Sequence, residues 1–203
     1  MNMKRLLTVV CVAMLTIAAS AQITWNVKAG AGVATLWGSG SEGAKPHVVA
    51  KIGVGIEKPF SSNFSLMPSL EVALKGVKSN FDTYYNGYKY NLDETIDLLY
   101  IQIPILAAYR FNLSDGWNMT LKAGPYAAYE VYDHAKVSSG SESVSSSNKL
   151  DVKKFDAGVD VGFDIEYHRF VFGVEAEMGF LSLLGNSTDI KNLAFYATIG
   201  YKF

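Results

Sequence analysis

The chain has 203 residues, a formal net charge of −1 and 49% hydrophobic residues, which suits one domain and offers no basic patch to nucleic acid. Its single cysteine, Cys11, lies in an apolar N-terminal stretch that reads as removable, which excludes disulfides, thiolate metal sites and a cysteine nucleophile in the remainder.

That stretch is the first predicted element. Lys4-Arg5 form a charged region, Leu6 to Ala18 an apolar core, and Ala19-Ser20-Ala21 an A-x-A cleavage site. Together they read as a secretory signal over residues 1–21. The core is short for a membrane anchor, since spanning takes about 20 residues. Losing the two positive charges of Lys4 and Arg5 takes the net charge from −1 to −3. Residues 22–203 remain as one domain, and no later apolar run is long enough for a spanning helix.

From Gln22 onward the chain repeats one two-sided pattern eight times. Alternate residues are apolar in a first strand (Ile23, Trp25, Val27, Ala29, Ala31, Val33), a second (Val48, Ala50, Ile52, Val54, Ile56) and a third (Phe64 to Leu74). The fourth runs from Leu99 to Phe111 and the fifth from Trp117 to Val131. The sixth and seventh form the clearest hairpin, Phe155 to Tyr167 and Phe170 to Phe180, and the eighth runs from Leu193 to Phe203. A period of two means β-strand.

A water-soluble sandwich or lipocalin-like barrel also has one apolar face per strand. Three features count against it. The strands are about twice the five or six residues usual in soluble proteins. The opposite face is rich in glycine, which weakens strands but makes room in a narrow lumen. No charge or amide falls on any of the eight apolar faces, the condition lipid imposes, since a charge at the bilayer midplane costs ~2–4 kcal/mol. The expected fold is therefore an all-β, eight-stranded, antiparallel up-and-down transmembrane barrel, exported to the cell outer membrane and embedded in its lipid.

The lumen face carries both charge signs. Lys51, Arg110 and Lys122 are expected to pair with carboxylates among Glu71, Glu130, Asp160 and Glu175, because unpaired burial is costly. Eight strands leave an interior that side chains just fill, so a plugged core is expected rather than a channel. Connections alternate between short (58–63, 112–116, 168–169) and long (38–46, 78–95, 133–150, 182–191). The short set and both ends share one side, which suits the periplasm. Trp25, Phe64, Tyr109, Phe111, Trp117, Tyr167, Phe170, Tyr201 and Phe203 crowd that side as an interface girdle. Pro68, Pro104 and Pro125 sit inside strands, where bulges or breaks are expected.

The stretch Tyr100-Ile-Gln-Ile-Pro-Ile-Leu-Ala-Ala-Tyr-Arg-Phe111 resembles the proline-containing strand of the PorT-like outer-membrane β-barrel proteins of the Bacteroidetes. The ending Tyr201-Lys202-Phe203 resembles the closing strand of outer-membrane proteins, where a final aromatic is read by the barrel-assembly machinery. The resemblance implies an eight-stranded barrel of OmpA/OmpX shape. It implies no catalytic residues.

Nothing in the sequence calls for a cofactor, and no metal or catalytic set is assigned. Asp133-His134 with Ser138-Ser139 offers the residue types of the lipid-modifying barrel enzymes, but the serine-rich 138–147 segment reads as a flexible loop, whereas catalysis needs rigid support. The row Asp156, Asp160, Asp164 lacks a calcium-loop pattern. Contact with a protein partner is expected in the long 78–95 connection. There Asn86-Gly87 between Tyr84, Tyr85, Tyr88 and Tyr90 signals a hairpin with large, rigid contact area. The expected role is interaction, envelope organisation or secretion support; a narrow or gated conduit is the alternative.

Overall fold

Alternation puts one set of side chains on each face of a strand, and the computed structural model has ten strands, of which the eight long ones follow that code. They are β1 (Thr24–Trp37), β2 (Ala44–Lys45), β3 (His47–Pro59), β4 (Phe64–Tyr85) and β5 (Tyr88–Ser114), then β6 (Trp117–Ser139), β7 (Glu142–Ser147), β8 (Phe155–Tyr167), β9 (Phe170–Gly179) and β10 (Lys191–Lys202). The structure describes residues 23–39, 41, 44–85, 88–139, 142–147, 153–182 and 190–203. The expected signal, 1–21, lies outside them.

Eight strands close a ring in the order β1-β3-β4-β5-β6-β8-β9-β10, with β10 pairing back onto β1. Every ladder is antiparallel. The expected eight-stranded barrel is therefore present. Two short strands are additions: β2 pairs with Lys78 and Ser79 of β4, and β7 pairs with His134 to Ser139 of β6. The second addition corrects the flexible-loop reading at 138–139 and 142–147. The β5–β6 ladder continues up to Asp93↔Ser138 and presents a paired edge on which β7 forms; main-chain pairing overrides the weak strand preference of serine.

Burial is the reverse of a water-soluble protein. Outward side chains such as Val48 and Ile52 are 72% and 63% exposed, while Asp156 and Asp160 are 0% exposed inside. The short turns at 60–63, 115–116 and 168–169 lie at one end, together with the start of β1 and the end of β10. The β5–β6 turn is tight because Asp115 (φ 41°) and Gly116 (φ 84°) both take positive φ, the requirement of a two-residue primed turn. At this end Tyr109 meets Phe111 with ring centroids 4.8 Å apart, Trp117 meets Tyr167 at 4.5 Å, and Tyr201 meets both Phe170 and Phe203 at 5.3 Å.

The expected breaks at proline are present and adjacent. The β3–β4 ladder is interrupted between Gly55↔Ser69 and Lys58↔Leu66. The β4–β5 ladder is interrupted between Pro68↔Ile105 and Glu71↔Gln102, and the β5–β6 ladder between Pro104↔Tyr126 and Ala107↔Ala123. The β6–β8 ladder passes Pro125 unbroken. Ile56, expected on the lipid face, is only 2% exposed beside the first interruption.

Candidate functional site

The lumen-facing side chains are arranged in layers. At the short-turn end Arg110 Nη2 lies 2.6 Å from Glu57 and 3.4 Å from Glu166. Lys202 Nζ lies 2.8 Å from Glu57 and 2.7 Å from Glu166, which closes an alternating ring of two cations and two anions. The Ser65 and Thr120 hydroxyls donate to Glu57 (3.0 Å) and Glu166 (2.9 Å), so the buried carboxylates keep few free lone pairs.

The central layer is denser. Glu175 receives three lysines: Lys28 at 2.9 Å, Lys122 at 2.7 Å, and Lys51 in direct contact. Lys28 also reaches Glu71 (2.8 Å), and Lys122 reaches Asp164 (2.6 Å). Lys51 touches Glu177 (2.9 Å) and stands 3.6 Å from Glu71. Gln102 donates from one amide nitrogen to Glu71 (3.2 Å) and Glu177 (2.8 Å). Above, Lys75 pairs with Glu177 at 2.9 Å and lies over the Tyr126 ring at 4.3 Å, so charge and aromatic quadrupole face the buried ammonium, which makes no hydrogen bond of its own among the described residues. Tyr126 and Asn192 both donate to Asp156 at 3.1 Å.

Glycine makes these contacts sterically possible. A Cβ on Gly162 would stand 2.5 Å from Lys122 Cε, and one on Gly53 would stand 2.6 Å from Glu71 Cγ. Each lumen glycine of this kind gives its cross-strand neighbour space for a long charged side chain.

Of the pairings expected from sequence, Lys51 with Glu71 and Glu175, and Lys122 with Glu175, are present. Arg110 is a correction: its partners are Glu57 and Glu166, not members of the expected set. It stands eight residues along β5 from Gln102, the residue registered with Glu71, a run of roughly 26 Å. Glu130 is a second correction. It forms no ion pair among the described residues, and one of its oxygens is unpartnered. Asp160 lies in the centre opposite Glu177, with neither oxygen hydrogen-bonded among the described residues. Lys28, Glu57, Lys75, Asp164, Glu166, Glu177 and Lys202 complete the network. All sit on the lumen-facing alternation, which is the signal that could have placed them in the set.

Glu71, Glu175 and Glu177 bring oxygens within 4.8 Å of one another, close enough for a metal ion. Lys28 and Lys51 reach into the same carboxylates, so ammonium groups supply the positive charge there. One cavity of about 40 Å³ lies between Lys28, Lys122, Met67 and Leu106, room for a few waters at most. A wider recess of about 270 Å³ opens at the short-turn mouth beside His168 and Arg169.

At the opposite end β4 and β5 run on as a paired ribbon to Tyr85↔Tyr88, with Thr83↔Tyr90 and Tyr84↔Lys89 below. The backbone of Tyr84, Tyr85, Tyr88 and Tyr90 therefore lies at the ribbon tip; their side chains lie outside what is described. His47 at the ribbon's base contacts Asp97 at 2.7 Å.

A family model, "Outer membrane protein beta-barrel domain", matches residues 16–185. Among solved structures, Neisserial surface protein A is 14% identical with a TM-score of 0.50, covering 90% of this chain and 100% of its own. Ail, the attachment invasion locus protein of Yersinia pestis, is 16% identical with a TM-score of 0.49 at the same coverages. The likeness to Neisserial surface protein A is one of fold. No curated protein matches the chain.

Proposed function

This chain belongs to the outer membrane protein beta-barrel domain family, and from that premise we propose that it is a non-enzymatic surface protein with a plugged lumen and a contact-making outer ribbon. Its place is the cell outer membrane, and its wall sits in the lipid bilayer. The finer placement among PorT-like barrels of the Bacteroidetes rests on the Tyr100 to Phe111 strand and belongs to the same proposal. So do removal of a signal over 1–21 and recognition of the Phe203 end by the assembly machinery.

The observation that carries the reading is the central lysine. Lys51, contributed by β3, bonds across the lumen to Glu175 and Glu177 of β9, which ties opposite walls together where a solute would have to pass. With the axis closed and the wall committed to lipid, specificity falls to the outside segments. The β4–β5 ribbon is paired without a gap from Val72↔Ile101 to its tip at Tyr85↔Tyr88. It offers interaction, envelope-organising or secretion-accessory contacts through the tyrosines at its tip, rigid side chains that bury large area at little entropic cost.

Replacing residues 79–92 by a short Gly/Ser turn tests this. The barrel is expected to assemble and resist heat in detergent, with co-purifying partners lost and planar-bilayer conductance unchanged and near zero. A steady conductance in the intact protein, or conductance that changes on ribbon removal while partners persist, favours the conduit instead.

A further inference from the structure

The three interrupted ladders are consecutive around the ring. They form a seam at one level, from Ile56 on β3 through Pro68 on β4 and Pro104 on β5 to Pro125 on β6. The other five interfaces pair without a gap. Proline has no N–H to donate, so a wall carrying three adjacent prolines loses several of the main-chain bonds that hold its neighbours together. Strands part most cheaply where that ladder is missing.

The inner face of the seam differs from the rest of the lumen at the same depth. Gly55, Met67, Ser69, Pro104, Leu106 and Gly124 take the lumen-facing positions there, and none is charged. Directly inside lies the 40 Å³ cavity, with Ile56, Met67 and Leu106 on the seam side, Lys28 and Asp164 across from them, and Lys122 reaching over from β6 to Asp164. The outer face of the seam is apolar as well: Leu66, Leu70, Ile103, Ile105 and Pro125 continue the lipid-facing band. A wall with no charged side chain on either face and a weak ladder sets only the Ser69 hydroxyl and main-chain groups in the way of a hydrocarbon chain. Its outer side meets nothing but lipid tails.

We propose that the proline seam is a lateral portal through which one hydrocarbon chain of a membrane lipid reaches the lumen cavity. This goes beyond the plugged reading. The ion pairs block passage along the axis, while the seam admits an apolar chain sideways as far as the charged layer, where desolvating Lys28 and Lys122 stops it.

The test uses the full-length protein in nanodiscs that contain phospholipid with a photoreactive diazirine near one chain end. After irradiation, labelled residues are mapped by mass spectrometry. Neighbouring residues report opposite faces: Leu66 and Ile105 outside, Met67 and Leu106 inside. Label is expected on all four. Leu70→Cys with Ile103→Cys then places two thiols facing each other where the β4–β5 register continues across its gap. The chain's own cysteine, Cys11, lies in the expected signal. Oxidation should staple the seam and cut labelling of Met67 and Leu106 at least ten-fold, with Leu66 and Ile105 unchanged; reduction should restore it. Should the double variant fail to assemble, Pro104→Val, which returns one donor to the wall, should lower the inner label several-fold. The portal is overturned if Met67 and Leu106 stay unlabelled in the unmodified protein. It is equally overturned if their label survives the oxidised staple, which would mean entry along the axis.

Discussion

The two halves of the barrel wall are built on different terms. Along β8, β9, β10 and β1 the ladders are unbroken, and the lumen face carries Asp160, Asp164, Glu175, Glu177 and Lys28. Along β3 to β6 the ladders lapse at the proline level, and the facing lumen positions are uncharged. Lys51 and Lys122 cross from the second half to carboxylates of the first. The comparison teaches that at the proline level charge and main-chain pairing fall on the same half, while the other half is held through lysines anchored above and below its weak level.

Removing that anchorage should have the largest effect. Lys51→Ala removes the one cation shared by Glu71, Glu175 and Glu177, which keep Lys28, Lys122 and Lys75; the site is fully buried, so water does not replace the lost charge, and breaking a buried pair from one side costs up to about 3–5 kcal/mol. Melting in detergent, followed by circular dichroism or by the loss of heat-modifiable mobility on a gel, should fall accordingly. A melting curve matching the unmodified protein would show that the lysine ties nothing together.

The short-turn ring should matter less. Arg110→Ala still leaves Lys202 on both Glu57 and Glu166, and the Arg110 side chain is 27% exposed, so water replaces part of what is lost. A drop of about 1–3 kcal/mol is expected, smaller than for Lys51→Ala in the same detergent. Equal losses would mean that the centre and the mouth form one cooperative network, and the contrast between them would be lost.

Much of the wall was legible from residues alone. Val159, Val161, Phe163 and Ile165 alternate with Asp160, Gly162 and Asp164, so strand, face and lipid side follow from period two. The lumen position of Lys28 or Glu177 follows in the same way. The partner of Arg110 does not, because the height at which two distant strands meet depends on barrel stagger, which no local pattern encodes. The β7 hairpin was missed for a related reason: Ser143 to Ser147 show no alternation, and their pairing is induced by β6. Pro68, Pro104 and Pro125 were visible as strand residues, but their alignment into one seam is a property of register.

The smallest expected change in stability is also the sharpest probe of the comparison. Pro104→Val gives the wall one more donor. A ladder bond contributes about 0.5–1.5 kcal/mol net, while losing proline frees the unfolded chain by about 0.4–1 kcal/mol in the opposite direction. The two nearly cancel, so melting should move little. Hydrogen exchange should move clearly. In the unmodified protein the amides of Leu70, Ile105 and Leu106, within the interruptions, should exchange faster than those of Val161, Val174 and Ala197 at continuous ladders of the opposite wall. Pro104→Val should slow the first group and leave the second unchanged. Exchange is the better reporter because it reads local opening rather than the global difference between folded and unfolded states. If the two groups exchange equally slowly before any substitution, the seam is a gap in register without softness. The two halves of the wall are then mechanically alike despite their different linings.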